Sequence, residues 1–384
     1  MTASSGFNLS YDEVPYPDLC YGLTHPGRLA AIGRLLNIKP VPAQACRVLE
    51  IGCAGGGNIV PMAFSLPDSK FVGIDLSERQ IDDADTFSTM LRLTNIELHA
   101  MDVLDVTSEF GEFDYIIAHG VYSWVPQMVK DKVLSICHDH LSPTGIAYIS
   151  YNTLPGWHML SMVREMMLYH TRHITEPRAR AKKARAVIKQ FRSMISDVDQ
   201  SVATLFLDAY VDTHFERFAG NADWEDSALL HDELSAINEP VYFHQFMQHA
   251  QQNNLQFLAE ATFPQAMTHD LPIDTIAQLN EMAHDEIEFE QYLDYVRQQN
   301  FRRPENPQRG LATCNSLPGA AGRSLQACEQ LTTQASRCRE ALDGSFRSLH
   351  PQQPTSRVPR LRPTSRGAPV RTSARQPSGA PAGA

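Results

Sequence analysis

The sequence predicts an α/β protein in which a parallel sheet is covered by helices on both faces, extended by a helical region and an unstructured tail. Three observations carry this. Residues 46–155 alternate short continuous apolar runs with helical periodicity, a glycine-rich turn follows the first run, and composition changes after residue 155 and again after residue 302. Strands buried on both faces read as continuous apolar runs, and a strand–helix–strand rhythm is that of parallel crossovers.

The elements follow in order. Residues 1–45 are turn-rich, with Tyr11, Tyr16 and Tyr21, and end in an amphipathic lid helix from Pro26 to Ile38. RVLEIG is followed by a helix from Asn58, KFVGIDL by a helix from Glu78, then come IELHAMD, FDYIIAHG, a helix from Pro126 and GIAYISY. Residues 156–302 carry long 3.6-residue periods broken at Pro177, Pro240, Pro264 and Pro272, which predicts a helical accessory domain or cap. Residues 303–384 lose apolar periodicity. Such a segment buries too little apolar area to offset its ordering entropy and is expected to be disordered.

Charge divides along the same line. The segment 301–384 has thirteen Arg, no Lys and four acids, a net +9, which leaves −20 on residues 1–300. So acidic a body argues against phosphate-backbone binding, which rests on counterion release by basic contacts, so nucleic acid is not an expected partner. Seven scattered cysteines without a C-x2-C pair give neither a disulfide framework nor a zinc site. No signal-peptide pattern opens the chain and no run approaches 18 apolar residues, so the expectation is a cytoplasmic protein without a membrane partner or a bound metal.

The sharpest motif is VLEIGCAGGGN at 48–58, an apolar strand, a glycine turn and a helix start. Dinucleotide sites use G-x-G-x-x-G. Here the loop reads Glu50-x-Gly52-x-Ala54-x-Gly56, and this pattern resembles the first motif of the class I S-adenosylmethionine-dependent methyltransferases, which implies a Rossmann-like sheet. The resemblance implies cofactor contacts from Glu50, Gly52, Cys53, Ala54, Gly56 and Asn58. It also implies them from Asp75 with Leu76, whose carboxylate would take the ribose hydroxyls, from Asp102 and Val103 at the adenine, and from His119 and Gly120 along the methionine. All lie at strand carboxyl ends, where open α/β sheets bind ligands.

YDEVPYPD at 11–18, THPGRL at 24–29, FDYIIAHGVYSWVP at 113–126, YNTLPGWHM at 151–159, EPVYFHQF at 239–246 and EFEQYLDYVRQQNFR at 288–302 are more specific. Together they resemble bacterial methyltransferases with a methyltransferase regulatory domain. That group includes the rickettsial protein lysine methyltransferases acting on outer-membrane proteins. The resemblance implies S-adenosylmethionine as cofactor, S-adenosylhomocysteine as product and a protein lysine acceptor, such as a surface protein before export. A small-molecule O- or N-acceptor, and a non-catalytic cofactor-binding protein, are the alternatives. Oligomeric state is not assigned.

Lysine chemistry adds a requirement. An amine of pKa about 10.4 is neutral at pH 7 roughly once in 2,500, a handicap of about 4.6 kcal/mol. Desolvation or an aromatic wall must offset it. Candidates for the wall are Tyr11, Tyr16, Tyr122, Trp124, Tyr151 and Trp157, with His25, Asn152 and His158 as polar groups. No general base is assigned.

Other signals are discounted. Cys137-His138-Asp139-His140 ends a helix, where neighbouring positions diverge. His170 and His173 lack a carboxylate at ligand spacing, Met159, Met162, Met166 and Met167 form a core stripe, and RARAKKAR at 178–185 reads as a solvated helix face. The tail has two readings, an Arg-rich arm for an acidic partner or nucleic acid, and a shifted reading frame. Loss of Lys, Ile, Met, Tyr and Trp together after Arg302 favours the shifted frame, which would leave the accessory domain incomplete. A one-base correction near codon 302 that restores family-like sequence would establish it.

Overall fold

The computed structural model describes residues 13–195, 201–212, 222–262, 268, 270–302 and 304–307. Helix α1 (Pro26–Leu35) opens the described fold, with Pro26 at its first position and His25 as cap, its Nδ1 accepting from the Gly27 N–H at 3.0 Å. The α/β rhythm then runs β1 (Arg47–Ile51), α2 (Ile59–Ser65), β2 (Lys70–Asp75), α3 (Glu78–Met90), β3 (Ile96–Ala100), β4 (Phe113–Ala118), α4 (Gln127–His140) and β5 (Leu141–Ile149). Strands pair in the order β3-β2-β1-β4-β5, all parallel, with Val48 opposite both Phe71 and Tyr115.

Alternation along these strands builds two cores. Leu49, Ile51, Val72, Ile74, Ile116 and Ala118 pack with Val133, Leu134 and Cys137 of α4. Val48, Phe71, Tyr115, Ile117 and Tyr148 pack on the other face with Leu29 of α1, Ile59 and Met62 of α2, and Ile81 of α3. Both faces are covered, as the apolar runs require.

Beyond β5 come β6 (Tyr151–Asn152), α5 (Trp157–Thr171), α6 (Pro177–Ile195), α7 (Val202–Tyr210) and α8 (Ala222–His231). A third core joins Val163 and Met167 of α5, Ala181, Ala184 and Ile188 of α6, Leu207 and Tyr210 of α7, and Leu229 with Leu230 of α8. The methionine stripe enters this core through Met167, with Met162 and Met166 packed against it, whereas Met159 is exposed. In α6 the small residues Ala181 and Ala184 face the core and Arg178, Lys182 and Lys183 face solvent, whereas Arg185 departs from the expected solvated face, pairing with Asp226 at 2.6 Å and lining the cavity described below.

The rest of the helical region departs from a separate domain. In α9 (Phe243–Gln252), Phe243, Phe246, Met247 and Ala250 recur at i, i+3, i+4 and i+7 and seal the sheet face shared with α4. After β7 (Ala259–Glu260), α10 (Ile273–Met282), α11 (Glu286–Arg297) and β8 (Phe301–Arg302), the strand β9 (Pro304–Pro307) pairs antiparallel with β5 and β7. Strand pairing thus continues past Arg302, where the tail was expected to begin. Residues 308–384, and the readings placed on them, lie outside the described residues.

Arg302 pins this arrangement. Its guanidinium is 2% exposed, bonds Asp294 at 2.9 Å, Glu260 at 2.9 Å and Glu290 at 3.0 Å, and lies 4.0 Å over the Phe243 ring. Arg302 also pairs with Tyr151 across β6–β8. Among the described residues no helix is long and apolar enough to cross a membrane.

Candidate active site

A cavity of about 570 Å³ opens at the carboxyl ends of β1, β2 and β4. The β1–α2 loop forms its floor. Gly52 and Gly56 adopt φ of +73° and +82°, and Ala54 adopts +48°, where a side chain is strained. Glu50 and Asn58 lie buried beneath the loop, with Asn58 Nδ2 donating to Glu50 Oε1 at 2.7 Å. Burial pushes the Glu50 carboxyl up to about 8, against the pull of Asn58 and reinforced by Asp75.

Asp75 ends β2 and accepts from the Ala54 N–H at 2.9 Å and the Ser77 N–H at 3.0 Å, so one carboxylate ties the glycine loop to the start of α3. Asp102 follows β3 and caps a short 3₁₀ turn through the Leu104 N–H at 3.0 Å, with Val103 beside it. His119 follows β4. Its Nδ1 lies 2.9 Å from Ser150 Oγ, which also accepts from the Gly120 N–H at 2.8 Å, so Ser150, directly after β5, fixes the direction of both residues.

Glu50, Gly52, Cys53, Ala54, Asn58, Asp75, Leu76, Asp102, Val103, His119 and Gly120 all line this one cavity. Gly56 does not. A Cβ there would meet Val60 at 2.8 Å and Ala84 at 2.9 Å, so Gly56 is needed for the close packing of α2 and α3. Two buried polar atoms of lining residues, Glu50 Oε2 and Gln80 Nε2, have no protein partner. A ligand bearing amine, hydroxyl and carboxylate groups, as S-adenosylmethionine does, suits that polar lining.

The opposite wall comes from the helical region and the N-terminal segment. Trp124 and Trp157 meet edge to face with centroids 6.2 Å apart. Asn152 is buried, its N–H bonded to Ser123 Oγ at 2.8 Å and its Nδ2 to Asn238 at 3.0 Å. Tyr16 places its hydroxyl 3.5 Å from both oxygens of Asp232. These residues, with His231 and Glu233, line the same cavity.

Two expected wall aromatics are core instead. Tyr151 is neighbour to Asn152 on a strand, so the two point to opposite faces and only Asn152 reaches the cavity. Tyr151 stacks on Phe246 at 4.2 Å. Tyr122 turns inward and bonds His249 Nδ1 at 2.8 Å, which in turn reaches Asp131 at 2.9 Å through Nε2. His25 is spent on its helix cap and His158 lies on the outer surface beside Tyr242, so neither lines the cavity. Tyr11 lies outside the described residues. The Cys137 to His140 run offers no site: Cys137 is core, and His140 Nδ1 bonds the Gly111 carbonyl at 2.7 Å. Among the described residues no three His, Cys, Asp or Glu side chains gather as a metal site.

Sequence reasoning missed Asp18, Tyr21, His231, Asp232 and Glu233. The stretch from Val14 to Tyr21 is fastened at both ends. At one end His231 bonds the Val14 carbonyl and Ser227 the Pro15 carbonyl, with Ser227 and His231 both buried. At the other, the Tyr21 N–H donates to Asn58 Oδ1 at 2.9 Å and its ring lies 4.0 Å from that of His119. Asp18 sits between, where a Cβ on Gly55 would come 2.5 Å from its carboxylate and one on Gly57 would strike its backbone at 2.8 Å. Gly55 and Gly57 are the two glycines that the loop motif leaves unexplained, and that surplus was the available signal.

Comparison with known proteins agrees with this geometry. A methyltransferase-domain model matches residues 49–147, and a model described as a predicted methyltransferase regulatory domain matches residues 225–304. The chain is 39% identical over 293 residues to the uncharacterized protein RP789 of Rickettsia prowazekii, covering 76% of this chain and 51% of that one. It is 37% identical to RP028 of the same organism over 250 residues, covering 65% of this chain and 97% of that one. The structure of PKMT2 from Rickettsia typhi in complex with AdoHcy superposes with a TM-score of 0.68 at 34% identity, over 77% of this chain and 55% of that one. The chain thus spans about half the length of RP789 and PKMT2. With the sheet order, the loop grammar and these matches in agreement, the chain belongs to the methyltransferases that carry a methyltransferase regulatory domain.

Proposed function

We propose that the chain transfers a methyl group from S-adenosylmethionine to lysine amines of a protein substrate. The observation that carries this reading is the single cavity in which the glycine loop and the ends of β2 and β4 face a wall of Trp124, Trp157, Tyr16, Asp232 and Glu233. On this reading Asp75 holds the ribose hydroxyls, Asp102 and the Val103 N–H meet the adenine, and Glu50, Gly52, His119 and Gly120 border the methionine.

The bound cofactor supplies an electrophilic methyl group on a cationic sulfonium. The chain's own residues orient the acceptor and exclude water. Asp232 and Glu233 draw a cationic side chain into the cavity, and the indole faces of Trp124 and Trp157 shelter it. Desolvation between those rings favours the neutral amine, which removes part of its protonation handicap. Residues 46–155 thus hold the cofactor while residues 156–302 supply much of the acceptor wall. The likeness to PKMT2 of Rickettsia typhi, and the resemblance to rickettsial protein lysine methyltransferases, support a protein acceptor.

The test is transfer of labelled methyl groups from S-adenosylmethionine to a lysine-rich protein, run beside the same protein with its lysine amines blocked by acetylation. Label in the unblocked protein alone supports the reading. Equal labelling of both, or labelling of small amines and hydroxyl compounds only, contradicts it.

A further inference from the structure

S-adenosylmethionine carries two positive centres, and burying either without a compensating partner is costly. Its sulfonium must face the acceptor wall for transfer to occur, which leaves the α-ammonium of the methionine to be held elsewhere. The carboxylates lining the cavity are Asp18, Glu50, Asp75, Asp102, Asp232 and Glu233. Asp75 bridges the Ala54 and Ser77 N–H groups, and Asp102 caps its own turn. Asp232 and Glu233 belong to the acceptor wall, where the hydroxyls of Tyr16 and Tyr210 meet them. Glu50 is buried beneath the loop, where Asn58 holds one oxygen, the other has no protein partner, and burial favours the neutral carboxyl over the anion.

Asp18 differs from all of these. It comes from outside the sheet, rests on the glycine loop from above, and has no cationic side chain paired with it among the described residues. Desolvation raises its carboxyl, the Gly57 N–H lowers it, Asp83 raises it and the Gly55 N–H lowers it, with a net rise. The loop donors fix where the carboxylate sits. The following residues, to Tyr21, run to Asn58 and His119.

We propose that Asp18 is a cofactor-binding residue that receives the α-ammonium of the methionine, seated for that purpose by Gly55 and Gly57. The N-terminal segment is then part of the cofactor site, and its second anchor at Ser227 and His231 joins that site to the regulatory region. Asp18 makes the site selective for ligands that carry a free amino acid end.

The experiment compares binding of S-adenosylmethionine, S-adenosylhomocysteine and 5′-methylthioadenosine to the full chain and to Asp18→Asn, by calorimetric titration. Methylthioadenosine has the adenine and ribose but no ammonium. Asn at position 18 still accepts from the loop N–H groups, so the segment keeps its seat, and the side chain is exposed enough for the variant to fold. The expected result is a loss of about tenfold to a hundredfold for the first two ligands, with methylthioadenosine unchanged. Equal weakening of all three makes Asp18 a support of the loop and overturns the assignment, as does no change in any. A wild-type chain that binds none of the three overturns both this assignment and the cofactor reading, and the wild-type titration alone reveals that case.

Discussion

Replacing Arg302 by Met removes the one cation from a buried group of three carboxylates. The Arg302, Asp294 and Glu260 side chains are 2%, 1% and 6% exposed, and that of Glu290 is 10% exposed. Met conserves much of the volume over Phe243 but leaves those acids without compensation. Breaking such a group by removing one partner costs about 3–5 kcal/mol. The cost depends on pH in a definite direction. Asp294 is already pushed up to about 7, chiefly by burial, with Arg302 holding it down. Without Arg302 the Asp294 carboxyl rises further above its unfolded value, so the folded variant binds a proton that the unfolded chain does not. Its stability therefore falls as pH rises, and each retained proton is worth up to about 1.4 kcal/mol per pH unit. Urea unfolding of the full chain, followed by tryptophan fluorescence at pH 8 and pH 6, should show the larger loss at pH 8 and a loss smaller by about 1–3 kcal/mol at pH 6. A loss below about 1 kcal/mol at pH 8, or one that does not change with pH, would mean that Arg302 does not compensate these acids.

Other expectations concern the cavity. Asp75→Ala should weaken S-adenosylmethionine binding by about 1–3 kcal/mol through loss of ribose hydrogen bonds, and an unchanged dissociation constant removes Asp75 from the site. Glu50, at about 8, is largely protonated at pH 7, and a cationic ligand favours its anion. Binding should therefore release protons and tighten as pH rises toward 8, which titration in buffers of different ionisation enthalpy detects. Buffer-independent heats would contradict this. Burial holds His231 down at about 4, against the usual 6.5, so the unfolded chain binds the proton first. Stability should be complete above pH 6.5 and decline by about 3 kcal/mol as pH falls to 4. The decline should shrink in His231→Gln, and an unchanged pH profile for that variant would remove His231 from the account.

The sheet was legible because buried parallel strands leave continuous apolar runs, and most of the residues expected at the cofactor line one cavity because they sit at strand ends. The facing wall of the cavity was less legible. Tyr122, Trp124, Tyr151 and Asn152 are close in sequence, but alternation in β6 and the 3₁₀ turn at Tyr122–Trp124 send one member of each pair inward. Composition cannot tell which. Asp232 and Glu233 approach from more than 200 residues beyond Asp18, a closure set by the packing of Val14 and Leu230 in the third core. The role of Arg302 was equally hidden, because nothing local distinguishes it from Arg303.

The most direct test of the central claim is calorimetric titration of the purified chain with S-adenosylmethionine, S-adenosylhomocysteine and NAD. The expected result is micromolar binding of the first two and none of NAD. A folded chain that binds neither sulfur ligand, or that binds NAD in their place, contradicts it.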